Sequence, residues 1–181
     1  MSTLISVGQK AMRRPDWDVY FMLHSEIAKL RSNCIARHVG AVIVKDNRQI
    51  ATGYNGTPSG IKNCFDGGCE RCMSRVHGKI SSGKNLERCL CTHAEANAII
   101  QCALFGNAGS TKGATLYSTF SPCIECSKMA ISVGIKRIVV LSDYSEDATS
   151  LLSKADITLL KLEAELLSNW IEIMKKGPQI S

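Results

Sequence analysis

Apolar positions along the chain follow two rhythms, one near the helical period of 3.6 and one alternating or continuous as in strands. Residues 16–32 place Val19, Leu23, Ile27 and Leu30 at helical spacing, which predicts an opening helix. VGAVIV (39–44) and QIATGY (49–54), joined by a turn around Asp46-Asn47, read as a β-hairpin. Residues 55–92 then lose all rhythm, and Gly, Cys, Ser and Arg dominate them. A structureless stretch of that length is uncommon in a compact domain unless something cross-links it.

Regularity returns at residue 93. HAEANAIIQCALFG (93–106) predicts a helix closed by Gly106, and TLYSTF (115–120) a strand. SPCIECSKMAISVG (121–134) carries helix punctuation, with Ser121 at the N-cap, Pro122 at N1 and Gly134 past the end. RIVVLSD (137–143) is almost wholly apolar, as in a sheet covered on both faces. A helix near 146–154, a strand ITLLKL (157–162) and a helix over 163–176 complete the series. This alternation predicts an α/β fold, a three-layer α/β/α sandwich with a mixed five-stranded sheet. The 181 residues suit one domain, with a core of about 16–162 and a C-terminal helical extension over 163–181. The Leu, Ile and Trp170 of that extension read as core packing, with a subunit contact as the alternative.

Composition narrows the class. Hydrophobic residues at 45% and charged residues at 21% exclude a disordered or fibrous chain. No apolar run approaches the roughly 20 residues of a membrane span, so no membrane partner is expected. The start, MSTLISVGQKAMRRPDW, has no signal-peptide core, which makes a cytoplasmic location the expectation. A net charge of +6 suits an anionic partner, although ordinary solubility accounts for it equally well. Aromatic residues at 6% are too few for a base-stacking platform, so a nucleic-acid partner is not expected.

The chain holds nine cysteines, an odd number that cannot all pair internally. In a reducing compartment such thiols are metal ligands or catalytic groups. The sharpest pattern is His93-Ala94-Glu95 followed by Ser121-Pro122-Cys123-Ile124-Glu125-Cys126. A catalytic zinc needs three N or S ligands and one position open to water. Cys123 and Cys126 share the first turn of a predicted helix, where the helix dipole favours thiolate. His93 opens the other helix and can meet them. Glu95, not itself a ligand, is placed to take a proton from water and return it to a substrate nitrogen. His-x-Glu followed by Pro-Cys-x-x-Cys is the signature of the zinc deaminases.

Further segments carry a family likeness: Arg31-Ser-Asn-Cys34, Val39–Val44, Gly53-Tyr-Asn-Gly-Thr-Pro-Ser-Gly60 and Asn63-Cys64. With the two signature elements, the chain from about Asp16 to Leu162 resembles the cytidine/deoxycytidylate deaminases, and within them the deoxycytidylate (dCMP) deaminases. The resemblance implies zinc-dependent hydrolysis of dCMP to dUMP and ammonia, which supplies thymidylate synthesis. It implies substrate contacts by Asn55, Thr57, Ala94, Ser121 and Tyr144. It also implies a homo-oligomer, a hexamer in much of the family, activated by dCTP and inhibited by dTTP, with Mg2+ accompanying the triphosphate. Gly53, Tyr54, Asn55 and Gly56 would then serve the effector as well.

Six further thiols bracket the irregular stretch: Cys34, Cys64, Cys69, Cys72, Cys89 and Cys91. A structural zinc held by four of them explains how residues 55–92 stay ordered. By resemblance its ligands include Cys34, Cys64 and Cys91. The fourth is left open between Cys69, Cys72 and Cys89, with His77 less favoured, and six thiols suffice for two ions. Cys102 reads as a core thiol, and His24 as solvated or packed. Arg37 and His38 face either a phosphate or solvent. Arg71, Arg75, Lys79, Lys84 and Arg88 form a loose basic set, either a solvated face or an anion site. The competing readings are a deaminase of dCTP or RNA, and a non-enzymatic zinc-ribbon module that binds nucleic acid.

Overall fold

The computed structural model describes residues 14–106, 108–143 and 148–176. The opening helix, α1 (Trp17–Lys29), is capped by Asp16, whose Oδ1 accepts the Val19 N–H at 2.8 Å. Its buried face is Val19, Met22, Ser25 and Phe21 with Leu23 and Ala28. Ile27 and Leu30, expected inside from their spacing, are 56% and 78% exposed. Close contact with the sheet explains the rotation. A Cβ on Gly40 would lie 2.1 Å from the Ser25 carbonyl oxygen, so a glycine lets α1 rest on strand β1 through its small residues.

The hairpin forms as expected from β1 (Gly40–Lys45) and β2 (Arg48–Tyr54), and Asp46 and Asn47 take the positive φ of a tight turn. After the irregular stretch come α3 (Ala94–Leu104), β3 (Thr115–Ser118), α4 (Ile124–Ser132), β4 (Arg137–Val140), α5 (Thr149–Lys154), β5 (Thr158–Lys161) and α6 (Ala164–Lys176). One further helix, α2 (Glu70–Val76), lies within the stretch itself, between single turns at Cys64–Asp66 and Leu86–Arg88.

The sheet order is β2-β1-β3-β4-β5. The β2-β1-β3 half is antiparallel and the β3-β4-β5 half parallel, the predicted mixed five-stranded sheet. Alternate strand residues divide between two cores. Ala41, Ile43, Leu116, Ile138 and Val140 pack against Ala94, Ala98, Ile99, Ala130 and Leu152 from α3, α4 and α5. Val42, Val44, Tyr117 and Val139 pack against Val19, Met22 and Leu23 of α1 and Leu167 of α6. The fold is therefore a three-layer α/β/α sandwich. Trp170 and Ile171 rest on the second core, so the last helix is used for packing. Among the described residues no helix is long and apolar enough to cross a membrane.

Helix α4 starts later than its sequence punctuation predicts. Cys123, not Ser121, is its N-cap. The Ser121 N–H bonds to the Ser142 carbonyl at 2.8 Å, and the following proline disfavours helical backbone at Ser121. Ser121 thus continues the β3 direction, and both cysteines move to the helix start.

Candidate metal centre

Helices α3 and α4 begin side by side at the end of β3, with His93 and Cys123 as their N-caps. The packing that sets this height is tight. A Cβ on Gly53 would stand 2.0 Å from the Ala94 carbonyl oxygen, so only glycine lets β2 meet the first turn of α3. Asn97 Nδ2 ties the same turn to the Tyr54 carbonyl at 2.7 Å. His93 Nδ1 consequently lies 3.4 Å from Cys123 Sγ and 3.5 Å from Cys126 Sγ. Around a tetrahedral zinc with ordinary bond lengths, a nitrogen and a sulfur sit about 3.6 Å apart. These three atoms fit one zinc ion, with a fourth direction left over. Hydrogen bonds from Cys126 and His93 hold the Cys123 thiol down to about 4, and the Cys123 sulfur pushes His93 up to about 9.

Glu95 is 4% exposed, in the first turn of α3. Its Oε1 accepts a hydrogen bond from Ser118 Oγ at 2.9 Å. Burial raises its pKa, while His93 and Ser118 act in the opposite sense. A buried carboxyl beside a metal site, steadied by one hydroxyl, has the setting of a proton carrier.

His93, Ala94 and Glu95 line one cleft. Asn55 and Ser121 also line it. Asn55 is heavily committed: its Oδ1 accepts from Ser32 Oγ and the Val39 N–H, and its Nδ2 donates to the Arg37 carbonyl. Thr57 is bonded to Asn33 through both its N–H and its hydroxyl. Gly53 and Gly56 are buried, and Gly56 forms a two-way backbone bridge with Thr92. Tyr144 lies outside the described residues.

The cleft's charge comes from residues only loosely grouped in sequence. Arg37, Arg71 and Arg75 all line it. Arg37 stacks 4.0 Å above the Phe120 ring and donates to Ser82 Oγ. Arg71 and Arg75 are fixed by the Lys84 and Ala36 carbonyls. His38, Lys79, Lys84 and Arg88 do not line it. Ser118, Phe120 and Ser82 were not singled out in sequence. Position directly after or at the end of β3 was the only signal for the first two.

Six of the seven remaining thiols form a second cluster against the same cleft. Cys34, Cys64, Cys69 and Cys72 are buried, as is Cys91, and Ile35 and Ala36 are the aliphatic residues packed on them. Cys34 Sγ is 3.6 Å from Cys72 Sγ, which in turn is 3.7 Å from Cys89 Sγ and 4.0 Å from Cys91 Sγ. A tetrahedral zinc–sulfur site has edges of about 3.8 Å. Two quartets have the spacing to hold such an ion, Cys34, Cys64, Cys72 and Cys91, and Cys69, Cys72, Cys89 and Cys91. Cys102 is apart, in the core beneath α3.

Residues 15–142 match the family model described as the cytidine and deoxycytidylate deaminase zinc-binding region. The chain is 46% identical over 148 residues to a deoxycytidylate deaminase of Schizosaccharomyces pombe, covering 81% of this chain and 44% of that protein. It is 43% identical over 150 residues to the deoxycytidylate deaminase of Saccharomyces cerevisiae, covering 82% and 45%. The chain thus spans less than half the length of these two relatives. Among solved structures it is similar to the dCMP deaminase of the cyanophage S-TIM5 in complex with dCMP and dUMP. That match has a TM-score of 0.66 and 30% identity, covering 82% of this chain and 98% of the phage protein.

Proposed function

The chain belongs to the cytidine and deoxycytidylate deaminase family, and from that premise we propose that it hydrolyses dCMP to dUMP and ammonia. One observation carries the reading: the Cys123 and Cys126 sulfurs lie 3.4 and 3.5 Å from His93 Nδ1, and His93, Cys123 and the buried Glu95 line a cleft together with three arginines. The curated relatives named deoxycytidylate deaminase support the choice of substrate.

His93, Cys123 and Cys126 would hold a zinc ion, which would supply Lewis acidity that brings the pKa of water toward neutrality. Glu95 accepts the proton of the water that adds to C4 of the cytosine ring. It passes that proton to N3, then carries the proton of the new C4 hydroxyl to the exocyclic nitrogen as C4=O forms, the C4–N bond breaks and ammonia leaves. Ser118 keeps the carboxylate aimed through this cycle. The phosphate meets Arg37, Arg71 and Arg75, whose guanidiniums are held by neighbouring carbonyls and a hydroxyl and so need little ordering on binding. Asn55, Ala94 and Ser121 border the sugar and base, with Thr57 acting through Asn33.

The same reading extends to the sulfur cluster, which holds at least one structural zinc on four of its six thiols. Regulation by dCTP and dTTP, with Mg2+ and a hexameric assembly, rests on the family likeness.

The test compares turnover of dCMP, dCTP, deoxycytidine and cytidine by the purified zinc-loaded protein, with and without dCTP and Mg2+. Preference for dCMP is expected. Preference for the nucleosides or the triphosphate would overturn the substrate assignment.

A further inference from the structure

The six thiols of the second cluster do not make one group. They make two overlapping quartets, Cys34, Cys64, Cys72 and Cys91 on one side and Cys69, Cys72, Cys89 and Cys91 on the other, each with its sulfurs within 4.8 Å of one another. Cys72 and Cys91 belong to both. Building on the reading that this cluster binds structural zinc, we propose that it holds two zinc ions. The Cys72 and Cys91 sulfurs bridge them, Cys34 and Cys64 complete one tetrahedron, and Cys69 and Cys89 complete the other.

Distances on both sides carry the same signature. In the first quartet Cys34 lies 3.6 Å from Cys72. In the second, Cys72 lies 3.7 Å from Cys89, and Cys89 lies 3.9 Å from Cys69. The shared edge, Cys72 to Cys91, is 4.0 Å. All stand near the about 3.8 Å edge of a zinc–sulfur tetrahedron. A single ion would use one quartet and leave two thiols of the other crowded against it with no role. Thiolate sulfurs repel at these separations, and a second divalent ion removes that conflict.

The surroundings treat the two unshared pairs alike. The Ile35 N–H points at Cys64 Sγ at 3.4 Å, and the Leu90 N–H points at Cys69 Sγ at the same distance. Backbone donors to sulfur are the usual outer support of metal-bound thiolates. Each quartet has one, on a sulfur it does not share. Charge is consistent as well. Six thiolates and two divalent ions leave two formal negative charges, and the same cleft wall carries Arg37, Arg71 and Arg75. The arrangement also explains how residues 64–91 stay ordered with so few aliphatic side chains packed among them. The cluster is their core.

Zinc content and zinc X-ray absorption of the full chain, purified under reducing conditions with zinc supplied, decide the matter. His93→Ala removes the catalytic ion and isolates the count of the second cluster. The proposal expects three zinc ions per wild-type chain, two in His93→Ala, and a zinc–zinc scattering path in both. One ion left in His93→Ala overturns the binuclear cluster and leaves a single structural zinc standing. None left overturns both readings. Two ions without a zinc–zinc path overturn the bridging by Cys72 and Cys91.

Discussion

Ser118, the last residue of β3, donates its hydroxyl to Glu95 Oε1 at 2.9 Å across the seam between sheet and helix α3. Both residues are buried, Ser118 fully and Glu95 to 4% exposure. A hydrogen bond to a charged group contributes about 1.5–3 kcal/mol. Ser118→Ala is therefore expected to lower kcat on dCMP by about tenfold or more, with KM little changed. Steady-state kinetics on dCMP check this, and an unchanged kcat would show that Glu95 needs no support from the sheet.

Arg37 lies over Phe120 with its guanidinium bonded to Ser82. If it reads the substrate phosphate, Arg37→Met lowers kcat/KM for dCMP by about tenfold and leaves deoxycytidine, which has no phosphate, nearly unaffected. The ratio of the two specificity constants is the readout. Equal losses on both substrates would make Arg37 a scaffold residue only.

Asp18 of α1 and Arg137 of β4 form a two-pronged ion pair, with Nη1 to Oδ1 at 2.6 Å and Nη2 to Oδ2 at 2.5 Å, and Tyr117 donates to the same carboxylate at 2.8 Å. The Arg137 bond holds the Asp18 carboxyl below its ordinary range. The unfolded chain therefore binds the proton at a higher pH than the folded one. The pair's stabilisation is fully present above the ordinary aspartate range near pH 4, and is lost as the pH falls through the lower folded value. Asp18→Asn is expected to cost about 2 kcal/mol at neutral pH. Denaturant unfolding should show that difference shrinking steadily below about pH 4. A constant difference across that range would place the contribution elsewhere.

Much of the layout was legible in the sequence because it rests on local rhythm. Strand residues such as Val42 and Ile43 alternate between two covered faces, and both neighbours are apolar for that reason. The convergence of His93, Cys123 and Cys126 near Glu95 was legible because a metal site constrains residue type and spacing together. The arginine wall was legible only as two separate alternatives, a phosphate for Arg37 and an anion site for Arg71 and Arg75, since the three meet only through the folded chain between them. The outward turn of Ile27 and the delayed start of α4 were hidden too. Each depends on a contact distant in sequence, Gly40 against Ser25 and Ser121 against Ser142.

Gly53 joins these two levels. Its missing side chain sets the height of α3, and with it the position of His93. Gly53→Ala is expected to destabilise the fold by about 1–3 kcal/mol, the usual cost of overpacking. It should also lower zinc retention at the His93 site. Thermal unfolding together with metal content of the variant checks both, and a stable variant with full zinc would show that β2 and α3 can separate without consequence.

The role proposed for Glu95 is to carry protons in the hydrolysis of dCMP. It is tested most directly by measuring dUMP and ammonia released from dCMP by the wild-type protein and by Glu95→Gln, with zinc content measured on the same samples. Equal amounts of the two products are expected from the wild type. The variant should keep its zinc and lose turnover by about a hundredfold or more. A zinc-loaded Glu95→Gln that turns dCMP over at the wild-type rate, or a zinc-loaded wild type that releases no dUMP, would rule that role out.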